Sequence, residues 1–358
     1  MKCKLVLMVA SFASLVACQK GDGDVPEHFN DLSFEVEEVR TRGSIITNDE
    51  GANPLLSMAV FGYSAHGGTM FDDATDTPNW MYNTNVTRTN ATAPWVIQGE
   101  GNKDWNGVNY HTFFAYAPYG VGTPSLATKA GTPELTYTVP ETNSAHIDLL
   151  YSEGTVINGK QMYIGSKPVA FRFAHALTKV TFSANISATS LAGVYRVTKV
   201  SLKNICTKGT AAMSIANNIV SLNWSVDNAS ISNRELGDGL VADNLLGTTA
   251  TTITTATGAM FLIPQTLPSN AKIEITLLNT KTNETYTKEM SLPSPAGGWK
   301  VGASLNYVFV WDGVIPTLEI TIGDWETGYD SNVQTDPVTE PDLDIGDWGT
   351  GSNDNIDY

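Results

Sequence analysis

The 358-residue chain is 42% hydrophobic and 16% charged, a globular composition long enough for two ordinary domains. Its net charge is −16, and no Lys or Arg follows Lys300. With no basic patch to neutralise phosphates, a nucleic-acid partner is not expected.

Lys2 and Lys4 precede an uncharged apolar run, residues 5–17, that is too short for a stable membrane span. The run ends in Leu15-Val16-Ala17-Cys18, small residues followed by a thiol, and this resembles the lipobox of bacterial lipoproteins. The resemblance implies a signal peptide over residues 1–17 and a lipid on Cys18, which would tie the protein to an outer membrane. No second apolar segment is long enough to span a bilayer, so two or three acyl chains would be the anchor. The remaining cysteines are Cys3, inside the leader, and Cys206, which has no partner for a disulfide and reads as a small buried apolar residue.

Beyond a polar tether, Leu32, Phe34 and Val36 alternate with polar residues and predict a half-buried first strand. A basic break with Arg40, Arg42 and Gly43 follows. Residues 18–39 are thus read as tether and first strand. Then strand follows strand: Met58-Ala59-Val60-Phe61-Gly62-Tyr63, and Thr112-Phe113-Phe114-Ala115-Tyr116, stopped by Pro118. Val169, Phe171 and Phe173 share one parity, and Val180, Phe182 and Ile186 the opposite one, which places a turn or bulge in residues 174–178. Val200 with Leu202, Ile273 with Ile275 and Leu277, Tyr286 with Met290 and Leu292, Leu305 with Tyr307, Phe309 and Trp311, and Leu318 with Ile320 and Ile322 continue the pattern. Residues 230–246 have room for a short helix, weakened by Gly237 and Gly239. The expectation is an all-β protein of two sandwiches, residues 40–205 and 206–334, followed by an acidic tail, 335–358.

Near the C-terminus Ile322-Gly323-Asp324-Trp325-Glu326-Thr327-Gly328 recurs as Ile345-Gly346-Asp347-Trp348-Gly349-Thr350-Gly351, with Ile320 answering to Leu343. The spacer, residues 335–341, carries two prolines and reads as extended linker. Leu343 and Ile345 give the tail segment an apolar face, and Trp348 breaks the parity as Trp325 does, which predicts a bulge in both copies.

Motifs for chemistry are lacking. There is no nucleophile elbow, P-loop or dinucleotide fingerprint, and His28, His66, His111, His146 and His175 have no metal-ligand spacing. A calcium-loop reading of residues 342–353 fails at Asp347, where a Gly is needed, and at Asn353, where a bidentate Glu is needed. Trp80, Tyr82, Trp95 and Trp105 have the chemistry to stack on sugars, but large sandwiches bury such residues routinely, and core packing is the favoured reading. No catalytic residue, metal or cofactor is therefore assigned, and the chain is read as a non-enzyme.

Several segments together resemble the fimbrillin family, subunits of lipoprotein-derived pili of Gram-negative anaerobes. They are Thr112-Phe113-Phe114-Ala115-Tyr116-Ala117-Pro118, Val169-Ala170-Phe171-Arg172-Phe173-Ala174-His175-Ala176-Leu177-Thr178-Lys179-Val180-Thr181-Phe182, Met260-Phe261-Leu262-Ile263-Pro264-Gln265, Trp299-Lys300 before Tyr307-Val308-Phe309, and the Gly-Asp-Trp325 close. The resemblance implies two tandem transthyretin-like β-sandwiches and a surface-exposed fimbrium subunit. It also implies a mode of assembly. A protease cuts after Arg40 or Arg42, the first strand with Leu32, Phe34 and Val36 leaves, and a strand from another subunit fills the groove. The donor would come from the segment after Ile320, with Ile322 and Trp325, or from its second copy with Leu343, Ile345 and Trp348. Other fimbrillin subunits are the implied partners, with a host protein or glycan as a further one. A monomeric, glycan-binding surface lipoprotein is the alternative, and a secreted hydrolase a more distant third; fold analogy alone does not separate them.

Overall fold

The computed structural model describes residues 31–39, 53–65, 71–101, 103, 110–155, 159–160, 168–216 and 219–324. The leader, Cys18, Arg40, Arg42, Trp105, Trp325 and the tail repeat with Leu343, Ile345 and Trp348 lie outside these residues. The described chain is all-β. In its first half the strands are β1 (Phe34–Val39), β2 (Ser57–Ala65), β3 (Met81–Thr87), β4 (Val96–Ile97), β5 (Tyr110–Ala117), β6 (Thr123–Pro124), β7 (Glu134–Thr138), β8 (Leu150–Thr155), β9 (Gly159–Lys160) and β10 (Val169–His175). There follow β11 (Thr178–Ile186), β12 (Tyr195–Cys206), β13 (Lys208–Ala216), β14 (Ile219–Val226), β15 (Ile231–Glu235), β16 (Thr251–Thr252), β17 (Met260–Leu262), β18 (Lys272–Asn279), β19 (Thr285–Ser291), β20 (Ala303–Trp311) and β21 (Pro316–Asp324).

The first sheet runs β4-β3-β2-β5-β8-β14-β13-β7-β6, with β10 on β8, β1 on β10 and β9 on β5. Its centre explains the nearly continuous apolar runs of β2 and β5. Successive side chains of a strand point to opposite faces, and here both faces are covered. Met58, Val60, Phe113, Ala115 and Ala117 belong to one apolar cluster, together with β1 and β10. Ala59, Phe61, Tyr63, Phe114 and Tyr116 belong to a second cluster, together with Leu135, Tyr137, Met213 and Leu222 of β7, β13 and β14.

Two further sheets, β16-β11-β20-β21 with β17 on β11, and β15-β12-β18-β19, face each other. Their inner faces carry Phe182, Tyr307, Phe309, Trp311 and Ile320 against Val200, Leu202, Ile273, Ile275 and Leu277. Rings meet across the layer: Tyr195 and Tyr286 lie 6.0 and 6.3 Å from Trp311. The parity break expected in residues 174–178 is the step from β10 to β11 at Ala176 and Leu177. Sheet membership does not follow chain order. β11 and β12 pair with the C-terminal strands, while the β13–β14 hairpin returns to β7 and β8. Residues 230–246, which had room for a short helix, hold β15 and a short 3-10 turn, Gly237–Gly239. Gly237 has φ +51°, and a Cβ on Gly239 would sit 2.3 Å from Asn143 Nδ2, so this backbone is shaped by close approach to residue 143 and not by helix propensity.

That approach belongs to a junction built by residues 139–148. Asn143 Nδ2 donates to Gly258 O at 2.8 Å, and the Arg234 guanidinium donates to Val139 O at 2.6 Å. Phe261 N–H donates to His146 Nδ1 at 3.1 Å. Nδ1 is then an acceptor, so the ring is neutral, and Nε2–H donates to Pro140 O at 3.1 Å. Cys206 is a buried free thiol, and His175 is a buried core histidine bonded to Asp148 at 2.8 Å.

Burial, aided by Arg234 and opposed by the Pro140 carbonyl and Asp238, lowers the His146 pKa to about 4. Burial also lowers His111 to about 4. In the unfolded chain both titrate near the usual ~6.5. The unfolded state therefore binds more protons between those values, and folding stability falls as pH drops from about 6.5 towards 4. Denaturation midpoints measured from pH 7.5 to 4.5 should show this decline. His146→Asn, whose amide oxygen can accept from Phe261, should make the decline shallower.

Candidate functional site

β1 lies parallel to β10, with Phe34 opposite Val169, Val36 opposite Phe171 and Val39 opposite Phe173. Glu37 has no partner in this ladder, because the register shifts between Val36 and Glu38. That bulge turns Val39 inward although it breaks the period-two parity. Leu32, Phe34, Val36 and Val39 are all buried, and Glu35 and Glu37 are exposed.

The floor of the slot is aromatic. Phe34 stacks on Phe171 at 5.8 Å and meets Phe113 edge-on at 6.0 Å. Phe173 and Trp80 extend the cluster, 5.9 Å from Phe171 and 5.6 Å from Phe113. Trp95 packs against the same cluster and lies under the Arg88 guanidinium at 4.6 Å, which in turn donates to Leu55 O. At its N-terminal end β1 is pinned by Leu32 N–H on Lys103 O and by Val169 N–H on Ser33 O.

Burying four large side chains contributes about 6–12 kcal/mol at ~1.5–3 each. Ordering the strand costs about the same, at ~1–2 kcal/mol per residue. Ladder hydrogen bonds and covalent continuity with the rest of the chain therefore decide whether β1 stays.

The residues singled out in the sequence fall into three groups. Leu32, Phe34 and Val36 come together in this slot. Ile320 and Ile322 do not join them: they are buried inward residues of β21, in a ladder with β20 that runs from Pro316 to Asp324. Cys18, Arg40, Arg42, Trp325, Leu343, Ile345 and Trp348 lie outside the described residues. Val39 was missed, because parity alone places it on the solvent side; the adjacent Glu37-Glu38 pair was the one available sign of a bulge. Among the described residues no group of three or more His, Cys, Asp or Glu is placed to hold a metal ion.

The fold and slot define an all-β protein that covers part of its own core with its first strand. A fimbrillin-like family model matches residues 56–325, and the chain belongs to that family. The match starts after β1 and stops at the first Gly-Asp-Trp. Among solved structures, a fimbrial protein from Bacteroides vulgatus superposes with a TM-score of 0.64 at 22% identity, covering 82% of this chain and 99% of that one. A candidate cell adhesion protein from Bacteroides uniformis gives 0.51 at 16%, covering 82% and 98%. Another from Bacteroides ovatus gives 0.50 at 18%, covering 82% and 96%. At these identities the likenesses speak for the fold. No curated protein sequence matches the chain.

Phe34→Ala in the intact chain should cost about 3–5 kcal/mol, the range for losing a buried Phe. Glu35→Ala, on the exposed face, should stay within about 0.5 kcal/mol. Urea denaturation of the two variants checks the contrast.

Proposed function

We propose that this chain is a structural subunit of a cell-surface fimbrium or adhesin, assembled by strand exchange at the β1 slot. The observation that carries the reading is β1 with the residue before it: Leu32 and, on the strand, Phe34, Val36 and Val39 are buried, and Arg40 and Arg42 follow in sequence. Cutting there leaves β1 held by non-covalent contacts whose sum is near balance. Its departure exposes the Phe113 and Phe171 surface and the edge of β10, and both favour a new strand. Family membership and the facing sheets support two tandem transthyretin-like sandwiches as the body of the subunit.

Export follows from the leader. Residues 1–17 are removed as a signal peptide, and Cys18 carries the lipid that holds the precursor at the outer membrane. The partners are other fimbrillin subunits, with adhesion to a host protein or glycan as the filament's task. Of the aromatic residues that a sugar site would use, Trp80 and Trp95 are drawn against the slot cluster, which favours a subunit role over a glycan-binding monomer.

Mild digestion with an arginine-specific protease should give polymer ladders on native gels, and the surface form should begin at Thr41 or Gly43 on N-terminal sequencing. Surface material that begins only at Cys18 and stays monomeric would overturn strand exchange. Cys18→Ser should shift the protein out of the detergent phase; palmitate labelling of that variant would overturn the anchor.

A further inference from the structure

The C-terminal sandwich leaves a long strand edge open. Strands β4, β6 and β16, at other sheet ends, have two residues each, too few to template a partner. β19 has seven residues, Thr285–Ser291, and lies at the end of its sheet, with β18 as its one neighbour among the described residues. The unpaired N–H and C=O groups along such an edge invite a further strand. Thr285, Tyr286 and Thr287 favour an extended chain, and no proline interrupts the segment.

β19 also carries a charge on its apolar face. Tyr286 and Met290 pack against the core, and Lys288 lies between them on the same side. It stands opposite buried Ile275, with Nζ 5.8 Å from the centroid of the buried Trp311 ring. The outward lysines of this sheet are paired: Lys199 with Glu235 and Glu274, Lys203 with Glu274 and Glu289, and Lys272 with Glu289. Among the described residues no carboxylate pairs with Lys288. β15, at the other end of the sheet, buries a cation too, but the Arg234 guanidinium is bonded to Val139 O. A branched apolar residue at 288 would cover Ile275 and Trp311 at least as well, so packing does not account for the lysine.

Its position in the strand does. Lys288 is the midpoint of Thr285–Ser291. When two identical strands pair antiparallel, all residues find partners only if the midpoint meets itself. Full pairing of β19 with a second copy therefore sets Lys288 against Lys288, with the Cβ atoms about 5 Å apart on an apolar face. Moving the centre to Thr287 or Glu289 leaves five residues paired, and at Glu289 it opposes two carboxylates. A shift by a single residue sets the inward face of one strand against the outward face of the other. We propose that β19 is a self-complementary edge held shut by Lys288, and that the partner it excludes is the β19 of a second copy of this chain. With Lys288 in place, two C-terminal sheets do not join side by side. The charge acts whether or not β1 is ever exchanged.

The test measures mass by light scattering on the full, uncut chain carrying Cys18→Ser, so that strand exchange plays no part. The parent should be monomeric. Lys288→Ile should melt no lower than the parent and form a dimer at least about tenfold tighter than any the parent forms. Lys288→Glu alone should stay monomeric, because like charges still meet. Mixed with the parent, it should give a one-to-one dimer with unlike charges facing each other at the centre. Lys281→Glu, the same charge reversal in the exposed turn before β19, should give none when mixed with the parent. A Lys288→Ile chain that stays monomeric would overturn the assignment, and so would a parent that dimerises as tightly. If Lys288→Ile precipitates, the mixtures decide. Mixed dimers with Lys288→Glu but not with Lys281→Glu support the register; equal amounts with both, or none with either, remove it.

Discussion

Both faces of the β2–β5 pair are buried, and the rest of the N-terminal sheet is arranged to meet that demand. A strand such as Thr112-Phe113-Phe114-Ala115-Tyr116-Ala117 has no solvent side, so two layers must cover it. Strands β7, β13 and β14 supply one layer. β1 and β10 supply the other. The layer that includes β1 comes from the first described strand of the chain. A core covered by a terminal strand stays complete only while that strand remains, or while something of the same shape replaces it.

The same demand accounts for the bulges. Covering a twisted aromatic floor with a six-residue strand requires inward side chains at Phe34, Val36 and Val39, which a flat strand cannot present together. The ladder shifts by one residue at Glu37 to allow it. β12 does the same twice, between Val197 and Lys199 and between Leu202 and Ile205, and so keeps Val197, Val200, Leu202 and Ile205 all facing inward. In both strands burial of apolar area outweighs the hydrogen bonds disturbed at the bulge, as expected when each large side chain is worth ~1.5–3 kcal/mol and each backbone bond about 1 kcal/mol net.

The two parts of the molecule are tied by polar contacts as well as by a shared apolar cluster. The chain crosses between them at Ala176 and Leu177, at Thr207 and again after Val226. Residues 139–148 fill the space between, through Asn143 to Gly258, His146 to Phe261 and Arg234 to Val139. The close backbone approach of Gly239 and Gly258 leaves no room for a side chain at either. Directional bonds with no slack resist reorientation of the two parts better than apolar contact alone.

What the sequence determined by itself was the class and the pairing potential. Period-two apolar patterns made the chain all-β, and the parity change between Phe173 and Val180 placed the step between β10 and β11. The family followed from motifs in order, and Leu32, Phe34 and Val36 were legible as one face because they alternate without interruption. The duplicated Gly-Asp-Trp was legible too, as a repeat. Only the tertiary structure decided that Val39 belongs to the same face, because a bulge is a relation between two strands, and the Glu37-Glu38 pair alone does not say which residue turns inward. It also decided that Ile320 and Ile322 are held inside β21, and that the β13–β14 hairpin returns to the first sheet. Strand partners are chosen by long-range burial, and local pattern says which face is apolar but not which core it enters.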